Sequence, residues 1–220
     1  NNCVWQLNDK LEYITSFSNY SENGEIKSFN APEGCWVADD KLYVANTATA
    51  NIVIIDIITK ETLQIVNAPS NDEWSSTVEF MPTRLSTDKG GRIYCVSRNQ
   101  TQGIVQFSKE GKFIGFLGAL DVDPNAWDIF IRTFGTKKMK NESLQMIPTE
   151  FTNLYCNSEG VVYAITETVS DAEIKGAVSG RNAKDAPVRL LNPLGNNILK
   201  NNGYYPIVGD IDFKKKKKNS

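Results

Sequence analysis

Histidine is absent from all 220 residues. With it go the Ser-His-Asp triad, the imidazole general base and every His-ligated metal site. Cysteine is scarce: Cys3, Cys35, Cys95 and Cys156 lie far apart, and none forms the C-x-x-C pair of zinc and thiol-redox sites. Each falls within a strand-like pattern, so all four read as buried free thiols packing like small hydrophobes. No apolar run approaches the roughly 20 residues a membrane helix requires, and any secretion signal is expected to lie outside these residues. Charge of one sign is also missing, since 24 Lys and Arg against 26 Asp and Glu leave a net charge of -2. Such a surface gives no general attraction to nucleic acid, whose binding rests on phosphate neutralisation. The chain lacks an initiator Met and begins in a strand-like stretch, so it is expected to be a piece of a longer protein.

What is present is an ordinary globular composition, 40% hydrophobic and 23% charged, arranged as a repeat. The clearest copy runs from Pro82 to Gly118. Its β-rich runs Arg92–Val96 and Ile104–Phe107 are bounded by Asp88–Gly91 and Ser108–Gly111, turns whose glycines accept the positive φ that hairpins need. A second copy is built from Pro32–Val37, Lys41–Ala45, Asn51–Asp56 and Thr62–Val66. The third is stretched: Asn153–Cys156, Val161–Thr166, a long insertion, Val188–Asn192 and Asn197–Lys200. Leu42-Tyr43-Val44, Ile93-Tyr94-Cys95 and Val162-Tyr163-Ala164 superpose as one strand of the unit. Cys3–Asn8 and Leu11–Phe17 read as the outer two strands of a blade entered midway. Repeated four-stranded units predict sheets whose apolar faces only their neighbours can cover. The fold class is therefore all-β: an incomplete β-propeller of about three and a half blades, forming one partial domain over residues 1–220.

The segment Pro32-x-Gly34 with Leu42–Asn46 and Ile52–Asp56, and again Pro82 with Gly91–Tyr94 and Gly103–Phe107, resembles the NHL-repeat propellers of the bacterial, six-bladed type. The resemblance spans most of residues 1–200. It implies a propeller belonging to a longer chain, extracytoplasmic or at the cell surface, with the remaining blades of the parent as neighbours. The pattern departs where the family has Asp after its second strand, which is Asn46, Ser97 and Thr166 here.

The connections sort by face. Tight turns join the first to the second and the third to the fourth strand of each unit, whereas the long excursions 67–81, 119–147 and 167–187 all belong to the opposite end. Long loops held on one side of a rigid scaffold mark a binding face. Within 119–147 a helical insertion is predicted, with Pro124 at its first position and Trp127, Phe130, Ile131 and Phe134 on one stripe. Lys214–Lys218 reads as a solvated tail.

Two functions follow. The first is a non-enzymatic scaffold binding a protein, peptide or glycan through this face, with Trp74, Arg98, Asn99, Gln100 and Glu167 as contacts and no cofactor. The second is a metal-dependent hydrolase, because the gluconolactonase-like propellers it resembles set a dication at the channel mouth with Glu, Asn and Asp. Glu33 and Glu150 stand where such ligands begin their strands. Pro82-Thr83-Arg84 stands where that family has Pro-Asn-Asp, and Arg beside a dication is unfavourable. No metal is expected, and Arg84 is expected to pair with Glu33 or Glu150.

Overall fold

The computed structural model describes residues 2–70, 74, 78–118, 150–166 and 188–199. The predicted helical insertion 119–147, the connection 167–187 and the lysine tail lie outside them. The described residues are strands joined by turns, with a single 3-10 turn at Thr47–Thr49. Two complete four-stranded antiparallel sheets are built in chain order, β5 (Pro32–Ala38) to β8 (Thr62–Asn67) through β6 (Lys41–Asn46) and β7 (Asn51–Asp56), then β9 (Pro82–Thr87) to β12 (Phe113–Leu117) through β10 (Ile93–Ser97) and β11 (Ile104–Phe107). A third sheet holds β13 (Phe151–Cys156), β14 (Val162–Thr166) and β15 (Val188–Leu191), with Asn197 bridging to Leu191 as the start of a fourth strand. Ahead of them, β1 (Val4–Leu7) pairs with β2 (Tyr13–Phe17). The hairpin β3 (Asn19–Glu22) with β4 (Glu25–Ser28) is an addition that the repeat pattern did not suggest. Its signal was Asn23-Gly24, whose φ values of 54 and 84 match the two-residue turns that join tightly twisted strands.

One local device shapes five of the hairpins. A short polar residue ends a strand, and three residues on the chain takes positive φ, at Leu11, Gly91, Gly111, Gly160 and Gly195. The side-chain oxygen of the polar residue then collects loop N–H groups that would otherwise lack acceptors: Asn8 from Lys10 and Glu12, Ser108 from Glu110 and Lys112, Asn157 from Glu159 and Val161, Asn192 from Leu194 and Asn196. Asp88 does this for Arg92 N–H at 3.0 Å and also accepts from Arg92 Nε at 2.7 Å and Tyr94 OH at 3.3 Å. Burial pushes the Tyr94 phenol up to about 12, so it remains a donor to that carboxylate.

Packing between sheets explains why the central strands are continuous apolar runs. In β10, Ile93 and Cys95 join Tyr43, Ile52, Ile54 and Val66 of the preceding sheet, while Tyr94 and Val96 join Leu154, Cys156, Val162 and Ala164 of the following one. Both faces of that sheet are therefore buried, and alternation no longer carries a polar phase. On the other side, Phe17 of β2 packs with Leu42, Val44, Val53 and Ile55 on the middle strands β6 and β7. This leaves Cys35 and Val37 of β5 exposed.

All four cysteines are free thiols, but only Cys95 and Cys156 are buried, which corrects the expectation for Cys35 and Cys3. Desolvation raises the Cys95 thiol and pushes that of Cys156 up to about 11. The thiolate is the reactive form. In the native protein near pH 8, a colorimetric thiol reagent is thus expected to reach Cys3 first, Cys35 more slowly because partial burial raises its thiol too, and Cys95 and Cys156 only after denaturant is added. Rapid native reaction at Cys95 would contradict the packing of β10 against the β5–β8 sheet.

Candidate functional site

The first strands of the three sheets, β5, β9 and β13, converge at the end where the long connections lie. Their approach is closest at Gly34: a Cβ built there would stand 2.2 Å from the Thr83 carbonyl oxygen. Pairing shifts register between Pro32 and Gly34 and again between Phe151 and Asn153, so each of these strands bends as it enters its sheet. Thr47, in the turn after β6, donates its hydroxyl to the Pro82 carbonyl at 2.6 Å and fastens one blade to the next.

These approaches bring several of the residues singled out above onto one rim. Arg84 Nη1 donates to the carbonyls of Thr83 at 2.7 Å and Glu33 at 3.0 Å. Its expected ion pair is not the one formed. The Glu33 carboxylate instead takes both of its oxygens to Arg98 Nη2, at 2.6 and 2.7 Å. The reason is reach: Arg84 leaves β9 directly beside the β5 backbone and turns its Nη1 to the carbonyls there, whereas Arg98, just past β10, meets the carboxyl end. With side chains 46% and 34% exposed, this pair contributes less than about 1 kcal/mol and serves to hold positions.

The turn carrying Arg98 is itself tightly held. Arg98 N–H donates to the Met81 carbonyl, Met81 N–H to Ser97 Oγ at 3.0 Å, and Gln100 N–H to the Ser97 carbonyl. Asn99 takes a positive φ of 60, a conformation Asn tolerates better than most residues, and its N–H donates to Glu150 Oε2 at 3.0 Å. Gln100 is buried, with its Oε1 accepting the Gln102 N–H, while its Nε2 has no hydrogen-bond partner among the described residues. Four residues of the rim therefore come from three sheets: Glu33, Arg84, Arg98 and Glu150.

Trp74 is not on this rim. It is buried against Phe80, Phe113 and Phe116, and its Nε1 donates to the Val78 carbonyl at 2.9 Å. An aromatic in a long loop looked like a contact because sequence cannot tell a loop that folds over a sheet edge from one that stands free. Glu167 lies outside the described residues. Two residues went unnoticed as supports. Asn46 is fully buried, accepts the Asn30 N–H at 2.7 Å and donates to Asn51 Oδ1, and Ser97 plays the matching part for Met81. Their signal was present, since both occupy the position where the repeat pattern has Asp.

The fold is that of a β-propeller. Solved structures with this architecture are similar to the chain at low identity. Virginiamycin B lyase from Staphylococcus aureus is 12% identical over 76% of this chain and 42% of its own, with a TM-score of 0.45. A protein of unknown function from Bacteroides caccae is 10% identical over 89% of this chain and 57% of its own, with a TM-score of 0.47. A gluconolactonase from Xanthomonas campestris is 14% identical over 64% and 36%, with a TM-score of 0.38. This chain thus spans less than two thirds of each of them. No protein-family model and no curated protein matches the sequence. The likenesses concern architecture alone, and they leave the chemistry of the rim to its own residues.

That chemistry does not fit a dication. A Ca²⁺ site gathers six to eight oxygen ligands. Here the Glu33 carboxylate is occupied by a guanidinium, Glu150 accepts a backbone N–H, and a second guanidinium stands beside them. Among the described residues, no three His, Cys, Asp or Glu side chains converge. Nor is any described helix long and apolar enough to cross a membrane.

Proposed function

We propose that this propeller is a non-enzymatic binding scaffold that recognises a protein, peptide or glycan at the rim formed by Glu33, Arg84, Arg98, Asn99 and Glu150. The observation that supports it most directly is the pairing pattern. Each carboxylate is held by a protein donor, Glu33 by the Arg98 guanidinium and Glu150 by the Asn99 N–H, so the charged groups of the rim are fixed in position. Polar groups fixed on a rigid frame are ordinary recognition material. In the reading adopted here the chain is an extracellular, NHL-type fragment. Further blades of the parent cover the half-exposed apolar face made by Tyr155, Tyr163 and Ile165.

The test is binding to glycan and peptide arrays by wild-type protein and two alanine variants. Arg98→Ala removes the Glu33 partner at the rim and is expected to weaken a hit by about tenfold or more, the effect of losing a charge-assisted hydrogen bond. Lys109→Ala, in a turn at the opposite end, should leave it unchanged. Equal loss from both variants would place binding elsewhere. For the hydrolase alternative, calorimetric titration with Ca²⁺, Mn²⁺ and Zn²⁺ is expected to give no stoichiometric heat. A one-to-one site abolished by Glu33→Gln would put the metal-dependent reading first.

A further inference from the structure

Of the two guanidiniums at the rim, Arg98 is neutralised by Glu33, while Arg84 meets no carboxylate among the described residues. Arg84 is also held in place without one. Nη1 donates to two backbone carbonyls on adjoining strands, which fixes the plane of the group. Nε and Nη2 find no acceptor among the described residues. A guanidinium offers donors in a flat fork that matches the two oxygens of a carboxylate. Ordering a long flexible side chain is a large part of the cost of capturing an anion, and here the fold has already ordered it.

A second donor, in the turn after β10, also has no acceptor among the described residues. Gln100, buried two residues past Arg98, has no partner for its Nε2 among the described residues although its Oε1 is satisfied. Buried polar groups are normally paired, and an exception asks for an ordered water, an ion or another partner.

We propose that Arg84 is the anchor for the carboxylate of a ligand bound at the rim, a proposal that rests on the binding reading above and narrows the ligand to an acid. A singly charged, planar anion matches one uncompensated guanidinium edge. A phosphate dianion would bring excess negative charge toward Glu33 and Glu150.

The experiment follows the side-chain Nε–H resonances of arginine in ¹⁵N-labelled protein during titration with acetate, galacturonate and N-acetylglycine, the last two representing sugar-acid and peptide-acid sources. Arg84 is expected to shift saturably with a Kd on the order of millimolar, and one of the two larger acids should bind more tightly than acetate. Arg92, paired with Asp88 at the other end of its sheet, is the internal control and should stay still. Arg84→Lys keeps the charge but loses the fork. It should weaken binding by about tenfold, with thermal unfolding used to confirm that the fold is retained.

Absence of a saturable Arg84 shift, an equal shift at Arg92, or undiminished affinity in Arg84→Lys would each overturn the proposal. The wider reading is separable from it. An array ligand that is lost in Arg98→Ala but binds wild type and Arg84→Lys equally leaves the binding face intact and removes the carboxylate anchor.

Discussion

Trp74→Ala is expected to lower the stability of the protein by about 3–5 kcal/mol, the range for truncating a large buried aromatic. Trp74 lies 5.7 Å from the Phe80 ring edge-on, 5.7 Å from Phe116 nearly stacked and 6.1 Å from Phe113 at a right angle. Phe80 and Phe113 in turn both touch Phe107. The aromatic cluster joins the loop before β9 to the outer strands of the β9–β12 sheet, so removing its centre opens a cavity that the stiff strands cannot collapse into. The Val78 carbonyl also loses its indole donor. Urea unfolding read by circular dichroism should show a lower midpoint, while the rim ligand, once found, should bind the folded variant with unchanged affinity. The opposite outcome, undiminished stability with lost binding, would return Trp74 to the role of a ligand contact.

Gly34→Ala is the second large effect, and it connects fold to site. The new Cβ would overlap the Thr83 carbonyl oxygen at 2.2 Å, a backbone atom that cannot rotate away. Either β5 or β9 must move. Overpacking of this kind costs about 1–3 kcal/mol, and a backbone obstacle places it at the upper end. That carbonyl accepts Arg84 Nη1, so the same displacement should disturb the guanidinium and shift its Nε–H resonance without any ligand. Gly24→Ala is the contrast. No atom lies within 4 Å of its Cβ, and the only cost is the strain of a φ of +84, about 1–2 kcal/mol. Equal stability losses in the two variants, with Arg84 unmoved, would mean that the β5 and β9 backbones do not touch as described.

The strands were legible because short β-rich runs separated by polar-residue-plus-glycine turns are local signals. Asp88–Gly91 and Asn157–Gly160 each satisfy their own backbone through a side chain a few residues away, so the information sits in one stretch of chain. The β3–β4 hairpin carried an equally local signal in Asn23-Gly24, but it falls outside the repeat.

The rim was legible only in part. Glu33, Arg84, Arg98, Asn99 and Glu150 could be named because a propeller's topology sends the beginnings of inner strands and the ends of second strands to one end. Their partners could not be named. Whether Glu33 meets Arg84 or Arg98 depends on how far apart two side chains start and on which backbone atoms intervene. Those quantities are fixed between β5 and β9, whose first residues lie about fifty positions apart in the chain. The same holds for Trp74, where a loop aromatic became core because two sheets left a gap that an indole fills.

The amino-acid sequence by itself thus determined the repeat, the hairpins, the absence of imidazole chemistry and the end of the propeller where polar groups gather. These depend on residue type and on spacings of a few residues. The tertiary structure alone decided which acid meets which base, which thiols are exposed, and that Arg84 is held by carbonyls and meets no carboxylate among the described residues. Each of these is a contact between separate sheets, and inter-sheet distance, set by details such as the missing Cβ of Gly34, leaves no periodic trace in the chain.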